Sequence, residues 1–128
     1  LNNTQSPRTD DHGIESWLTA SGKTAARVTP ADIEANIVSV YYFTGREGCE
    51  GASGGGGTYP VELGLLTLCV LVLRNGFTVT GESACASPEN FDAGTGARIA
   101  YAAAVNKIWP LMGYALKTQL HQEQPNAN

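Results

Sequence analysis

The 128 residues are enough for one domain and too few for two independent cores. Only 16% are charged against 42% hydrophobic, well below the roughly 25% charge of ordinary soluble domains, which excludes a solvated, disordered chain. Eight basic against twelve acidic side chains leave a net charge of −4, the wrong sign for nonspecific binding to duplex nucleic acid, where cations must displace counterions from phosphate. Three cysteines cannot all pair within one chain and fall short of a disulfide framework, so a reducing cytosol is the expected compartment.

Residues 1–28 alternate polar and small side chains without a steady period, with Trp17-Leu18 as their bulky apolar pair. They predict a flexible N-terminal arm, without the basic start and apolar run of a signal peptide. The longest apolar stretch, Leu63 to Leu73, is far shorter than the ~20 residues of a membrane helix. A single ligand-binding domain is expected over 29–122 and a disordered tail over 123–128.

Thr29-Pro30-Ala31-Asp32 is a helix start: a capping hydroxyl, a proline suited to the first helical position and an acid at the positive helix end. The β-branched and aromatic run Ile37 to Phe43 predicts a strand. From Thr44 to about Val61, with four glycines at 54–57, the reading is a loop whose backbone entropy is costly to freeze. Leu63 to Arg74 is apolar on both faces and predicts a strand covered twice, once by its own helices and once by more of the fold or by another subunit. Asn75-Gly76 is a strong hairpin signal, and the return strand, Phe77 to Ala84, alternates Thr78, Thr80 and Glu82 against Phe77, Val79 and Gly81. Ser87-Pro88 opens one helical turn. Ile99, Ala102, Val105, Ile108 and Trp109 then outline a buried helical stripe, ended or kinked by Pro110, with a second amphipathic helix after it. The expected fold class is therefore α+β: a small antiparallel sheet with a central hairpin packed against two C-terminal helices, and oligomeric.

A catalytic constellation is not expected. His12 and His121 lie in the arm and near the tail, poorly placed to serve as a base for a nucleophile. Cys49, Cys69 and Cys85 lack the close pairing of a zinc site; Cys69 reads as core and Cys85 as the thiol to test. The glycine-rich segment 51–57 lacks the Gly-Lys-Ser/Thr ending and following helix of a phosphate loop. No catalytic residue, metal ligand or cofactor is predicted.

What stands out is a group of ligand-binding residue types around the return strand and the first long helix: Phe77, Glu82, Asn90, Phe91, Asp92, Arg98 and Lys107. Aromatic rings stack on bases, guanidinium and ammonium groups pair with phosphate, and a carboxylate accepts from ribose hydroxyls. Each residue has a structural alternative: Phe77 as core, Asn90 and Asp92 as bonds to turn amides, Arg98 as solvated or paired, Lys107 as a complement to the helix dipole.

Two blocks carry a resemblance. One is Asn75-Gly76-Phe77-Thr78-Val79-Thr80-Gly81-Glu82-Ser83-Ala84-Cys85 through Asn90-Phe91-Asp92; the other runs from Arg98-Ile99-Ala100 to Lys107-Ile108-Trp109-Pro110-Leu111 and Gly113-Tyr114. Over roughly 29–120 the chain resembles a family of short proteins from tailed phages and prophages, and that group is similar to the first type of Thoeris anti-defence protein. The resemblance implies a sponge that binds cyclic ADP-ribose isomers made by TIR enzymes, or the cyclic oligonucleotides of CBASS, without cleaving them. It implies a ligand on Phe77, Asn90, Arg98 and neighbouring polar residues, and a symmetric homo-oligomer, dimer to hexamer, in the cytoplasm of the infected bacterium. The sequence departs from the group's pattern at Met112, in place of an acid, and in its longer Gly-rich insertion. A protein-protein inhibitor of a host enzyme, with no small ligand, is the alternative expectation, and an enzyme using Glu82 or Cys85 ranks last. No membrane or duplex nucleic acid partner is expected.

Overall fold

The computed structural model describes residues 11–22 and 25–124; the first ten residues of the expected arm and the last four of the expected tail lie outside them. Within the arm, Asp11–Ala20 forms helix α1. It is tied down by an Asp11 carboxylate accepting from the Trp109 indole N–H at 2.9 Å and by Glu15 paired with Arg27 at 2.6 Å.

Helix α2, Pro30–Asn36, starts as its sequence dictates: the Thr29 hydroxyl accepts from the Asp32 amide and the Asp32 carboxylate accepts from the Thr29 amide, a reciprocal cap. Strand β1 follows over Ile37–Thr44. The expected loop after it is instead a helix in its first half, α3, Gly45–Ala52. Its cause is a second reciprocal cap, Thr44 with Glu47, which outweighs the poor helix propensity of Gly45, Gly48 and Gly51. The glycines that follow are pinned by Tyr59, whose hydroxyl sits among the Ser53 hydroxyl (2.6 Å), the Gly56 carbonyl (2.9 Å) and the Cys49 carbonyl (3.2 Å).

A 3-10 turn over Val61–Leu65 leads into β2, Leu66–Leu73, and β3, Thr78–Ala84. The three strands form one antiparallel sheet in the order β1-β2-β3. The hairpin is tight because Gly76 takes φ +89°, its N–H donates to Leu73 C=O, and Leu73 N–H donates to Phe77 C=O; Asn75 closes the turn from its side chain, accepting from the Phe77 amide at 2.9 Å. Only the glycine enters the left-handed region, the pattern of a three-residue loop with a glycine bulge.

The last element is α4, Ala93–Gln122, a single helix of 30 residues where two were expected. Pro110 does not end it: Pro110 and Asn106 are both exposed, so the carbonyl deprived of its amide partner falls on the solvent side. Nor is the expected stripe the buried one, since Ile99 is 52% exposed and Ala102 is exposed. The buried row is Gly96, Ala100, Ala104 and Ile108, one residue per turn, and it lies on β2 and β3.

This row of small residues exists because the helix meets the sheet at Gly81. A Cβ at Gly81 would overlap the Ala100 carbonyl oxygen and the Ala104 amide nitrogen. The core around this contact holds Ile33, Cys69, Leu71, Leu73, Val79 and Ile108. Burial pushes the Cys69 thiol upward, against a hydrogen bond from Tyr42 that pulls the other way, so Cys69 stays a protonated core residue.

The sheet is thus covered on one face. Thr67, Cys69, Leu71 and Leu73 are buried under α4, while Leu66, Leu68, Val70 and Val72 on the opposite face are half-buried. Of the second covering that the doubly apolar strand predicts, the described residues supply α3, which packs at the Phe43 end.

Gly81→Ala is expected to destabilise the fold by about 3 kcal/mol or more, because the methyl meets backbone that cannot rotate away. Gly64→Ala, with nothing within 4 Å of the added carbon, is expected to stay within about 0.5 kcal/mol of the parent. Denaturant midpoints of the two variants check both.

Candidate functional site

The end of β3, the 3-10 turn Pro88–Asn90 and the first turns of α4 enclose a cleft of about 190 Å³ lined by Ser83, Cys85, Asn90, Phe91, Asp92 and Thr95, among others. Ser87-Pro88 opens the turn as the sequence predicts, the Asn90 amide donating to Ser87 C=O and the Phe91 amide to Pro88 C=O. Asn90 is exposed and Phe91 half-buried, so an amide and a ring stand at the mouth of the cleft.

Asp92 is the N-cap of α4: its Oδ2 accepts from the Thr95 amide at 2.7 Å. One turn on, an Arg98 guanidinium N–H donates to the Thr95 hydroxyl at 3.2 Å. Both side chains flank Gly94, where an added Cβ would sit in ordinary contact, 3.6 Å from Arg98 Nη1 and 3.6 Å from Asp92 Oδ2. Hydrogen bonds from the Thr95 hydroxyl and amide hold the Asp92 carboxyl below its usual range, with Arg98 adding to the effect. Arg98, Thr95 and Asp92 form a relay: cation to hydroxyl to carboxylate.

Such an arrangement offers complementary chemistry in a small space. Arg98 is exposed and attracts an anion, helped by the positive end of a long helix. Asp92 keeps lone pairs for a hydroxyl donor, Asn90 serves a base edge, and Phe91 presents a ring for stacking. Among the described residues no group of three His, Cys, Asp or Glu lies close enough to hold a metal ion.

The remaining residues predicted to bind ligand lie elsewhere. Phe77 is 56% exposed, at the hairpin end, beside a cleft it shares with Asn75, Leu111 and Met112. Lys107 is exposed one turn before Leu111, about 22 Å along the helix from Asp92 at 1.5 Å per residue. Glu82 stands on the uncovered sheet face, with the Thr80 hydroxyl donating to it at 3.3 Å. Within one chain, then, Asn90, Phe91 and Asp92 line one cleft with Arg98 tied to it through Thr95, and Phe77, Glu82 and Lys107 do not join them.

The sequence reading missed Thr95 as the residue that couples Asp92 to Arg98. The signal was present, since Asp92 and Thr95 have the spacing of a helix cap and its third residue. It also missed a wider groove, about 490 Å³, between α2 and the second half of α4, rimmed by Arg27 and Arg74. Those arginines are far apart in the chain, and no local pattern joins them. Both have protein partners: Arg27 bonds Glu15, and Arg74 Nε donates to the Ala35 carbonyl at 2.9 Å at the end of α2.

Residues 28–120, nearly three quarters of the chain, match the model of the Phage protein (N4 Gp49/phage Sf6 gene 66) family. The chain belongs to this phage protein family. No curated protein and no solved structure matches it. None of the helices among the described residues is long and apolar enough to cross a membrane.

A pH test follows from the relay. A carboxyl held low in the folded state contributes stability that is complete above its unfolded pKa and is lost as the pH falls through the lower folded value. Asp92→Asn keeps a capping side chain without the charge. Wild type is expected to be the more stable at neutral pH, and the difference is expected to shrink only as the pH is taken below 3.8, the ordinary value of the group. Denaturation midpoints along an acid series measure it.

Proposed function

We propose that this phage protein is an anti-defence sponge: it binds a small cyclic nucleotide immune signal in the infected cell and holds it uncleaved. Cyclic ADP-ribose isomers made by TIR enzymes are the leading ligands, with the cyclic oligonucleotides of CBASS as a second group. The observation that carries the proposal is the cleft at the start of α4 lined by Asn90, Phe91, Asp92 and Thr95, with Arg98 at its margin bonded to the Thr95 hydroxyl, within a chain whose family is a phage family. Sequestration requires affinity without turnover, so the site works with a cation, a ring and hydrogen-bonding groups and uses no general base. It acts in the host cytoplasm, where such signals are made.

The working unit in this reading is a homo-oligomer, dimer or larger and as large as a hexamer. Lys107 lies nine residues beyond Arg98 on α4, about 13.5 Å along the helix and on its opposite face, and Phe77 sits further on, beside Leu111 and Met112. A second copy bringing its hairpin end to the first copy's α4 start completes a site that uses both. A protein-protein inhibitor of a host enzyme is the second reading, favoured by the half-buried leucines and valines of the open sheet face.

A ligand-panel melting experiment separates the two. A signal molecule at about 100 times its Kd is expected to add about 2.7 kcal/mol of apparent stability and to be recovered chemically intact after the protein is denatured. Arg98→Ala is expected to abolish that shift while leaving the ligand-free melt nearly unchanged, because among the described residues the exposed guanidinium bonds only the Thr95 hydroxyl. A wild-type melt unmoved across the panel supports the inhibitor, and recovery of a hydrolysed product overturns both.

A further inference from the structure

We infer that strand β1 is a self-pairing edge: two copies of the chain join antiparallel through Val40 and Tyr42, about a two-fold axis at Tyr41, into one six-stranded sheet. The inference deepens the oligomeric part of the proposed function and names its interface.

Among the described residues β1 is an edge strand, paired only with β2. Its eight residues, Ile37–Thr44, contain no charge and no proline, two of the devices by which monomers keep edges from pairing. Exposure confirms that nothing described covers it: Val40 is 36% exposed, Tyr41 56% and Tyr42 47%. The other edge, β3, is defended, with the charge of Glu82 and the backbone of α4 lying directly on Gly81.

The direction of each backbone group follows from the hydrogen bonds. Arg74 N–H donates to Asn36 C=O, while Leu73 N–H donates to Phe77 C=O and Cys85 N–H to Leu65 C=O. Even-numbered residues of β2 therefore address β1, and odd-numbered ones address β3. The register pairs Val70 with Tyr41, Leu68 with Phe43 and Val72 with Ser39, so Ser39, Tyr41 and Phe43 spend their backbone groups on β2. Those of Val40, Tyr42 and Thr44 point outward. The Thr44 amide is already used by the Glu47 carboxylate at 2.9 Å, and a bulge between Ile37 and Ser39 breaks the regular edge before Val40.

Two residues remain with regular outward groups, and they define a register. Pairing Val40 with the partner's Tyr42, and Tyr42 with the partner's Val40, satisfies all four N–H and four C=O groups by symmetry. A pairing centred on Val40 runs into the bulge, and one centred on Tyr42 requires the occupied Thr44 amide. The two-fold therefore passes beside Tyr41, which faces itself in a non-hydrogen-bonded pair, Cα atoms ~4.5 Å apart. On the opposite face, Tyr42 lies over the partner's Val40, covering the two apolar side chains that α4 leaves open.

Sedimentation and cross-linking test this register. Wild type is expected to sediment at an even multiple of the chain mass at tens of micromolar. Tyr41→Lys, which places two like charges at the axis on an exposed position, is expected to lower that mass, to the single chain where the wild type is a dimer, with an unchanged circular dichroism spectrum. Tyr41→Cys under mild oxidation is expected to give a covalent dimer on a non-reducing gel. Ser39→Cys, which pairs with Phe43 and not with itself, is expected to give no more dimer than wild type, whose own cysteines set the background. A monomeric wild type overturns both the interface and the oligomeric reading. A wild-type oligomer that survives Tyr41→Lys, with no cross-link at Tyr41→Cys, overturns the β1 interface alone and leaves oligomerisation by another surface standing.

Discussion

The approach of α4 to Gly81 sets the rest of the molecule. Because the Ala100 carbonyl and Ala104 amide occupy the space a side chain would take, the helix lies far closer to the sheet than leucine-on-leucine packing allows. Gly96, Ala100 and Ala104 bury little area individually, and the gain comes from backbone-level contact and from the full enclosure of Leu71, Cys69 and Ile108. Centring the helix on β3 and β2 has two consequences. It brings the N-terminus of α4 to the end of β3, where Asp92 and Thr95 line one cleft with Cys85, Asn90 and Phe91, and it withdraws cover from β1.

The parts of this arrangement that were legible in the sequence are those fixed by neighbours in the chain. Thr29, Pro30 and Asp32 specify a helix start, Asn75-Gly76 specifies a turn, and the alternation of β3 separates Val79 and Gly81 from Thr80 and Glu82. Helix α3 was equally local, but Thr44 and Glu47 are set among glycines whose propensity argues the other way. The buried row of α4 was misread for a different reason. Hydrophobic periodicity weighs side chains by size, and Ile99 and Trp109 outrank Gly96 and Ala104 on that scale; close approach selects the smallest side chains instead, and only the position of Gly81 in space reveals it. The tie between Asp11 and Trp109 was beyond reach because nothing in the sequence connects residues so distant.

The candidate site divides along the same line. Asn90, Phe91 and Asp92 are consecutive and line one cleft, and Arg98 is tied to Asp92 through Thr95, one turn before it. Phe77 and Lys107 are close to the cluster in sequence but are carried off by a strand and a rigid helix. Sequence proximity is converted into spatial proximity by turns and into separation by regular elements. The long uninterrupted α4, running straight through Pro110, is what pulls the predicted set apart.

In the proposed function, assembly and ligand capture use different edges of the sheet. The cleft at the start of α4 is built on β3, two strands, or about 9–10 Å, from β1. A dimer formed through β1 therefore leaves each cleft unobstructed, yet it does not carry the partner's Phe77 to Arg98, because β3 lies at the outer margin of the joined sheet. A ligand that touches both the start of one copy's α4 and the Phe77 region of another needs a second contact between copies, formed on the β3 side. Two unlike contacts on one chain, one through the β1 edge and one through side chains near β3, generate more than a dimer, and closing them by symmetry gives an even-numbered ring. If the ligand instead rests on Asn90, Phe91, Asp92 and Arg98 alone, the β1 pair is sufficient and Phe77 becomes dispensable. The geometry of a single chain thus ties subunit number to the role of one aromatic residue.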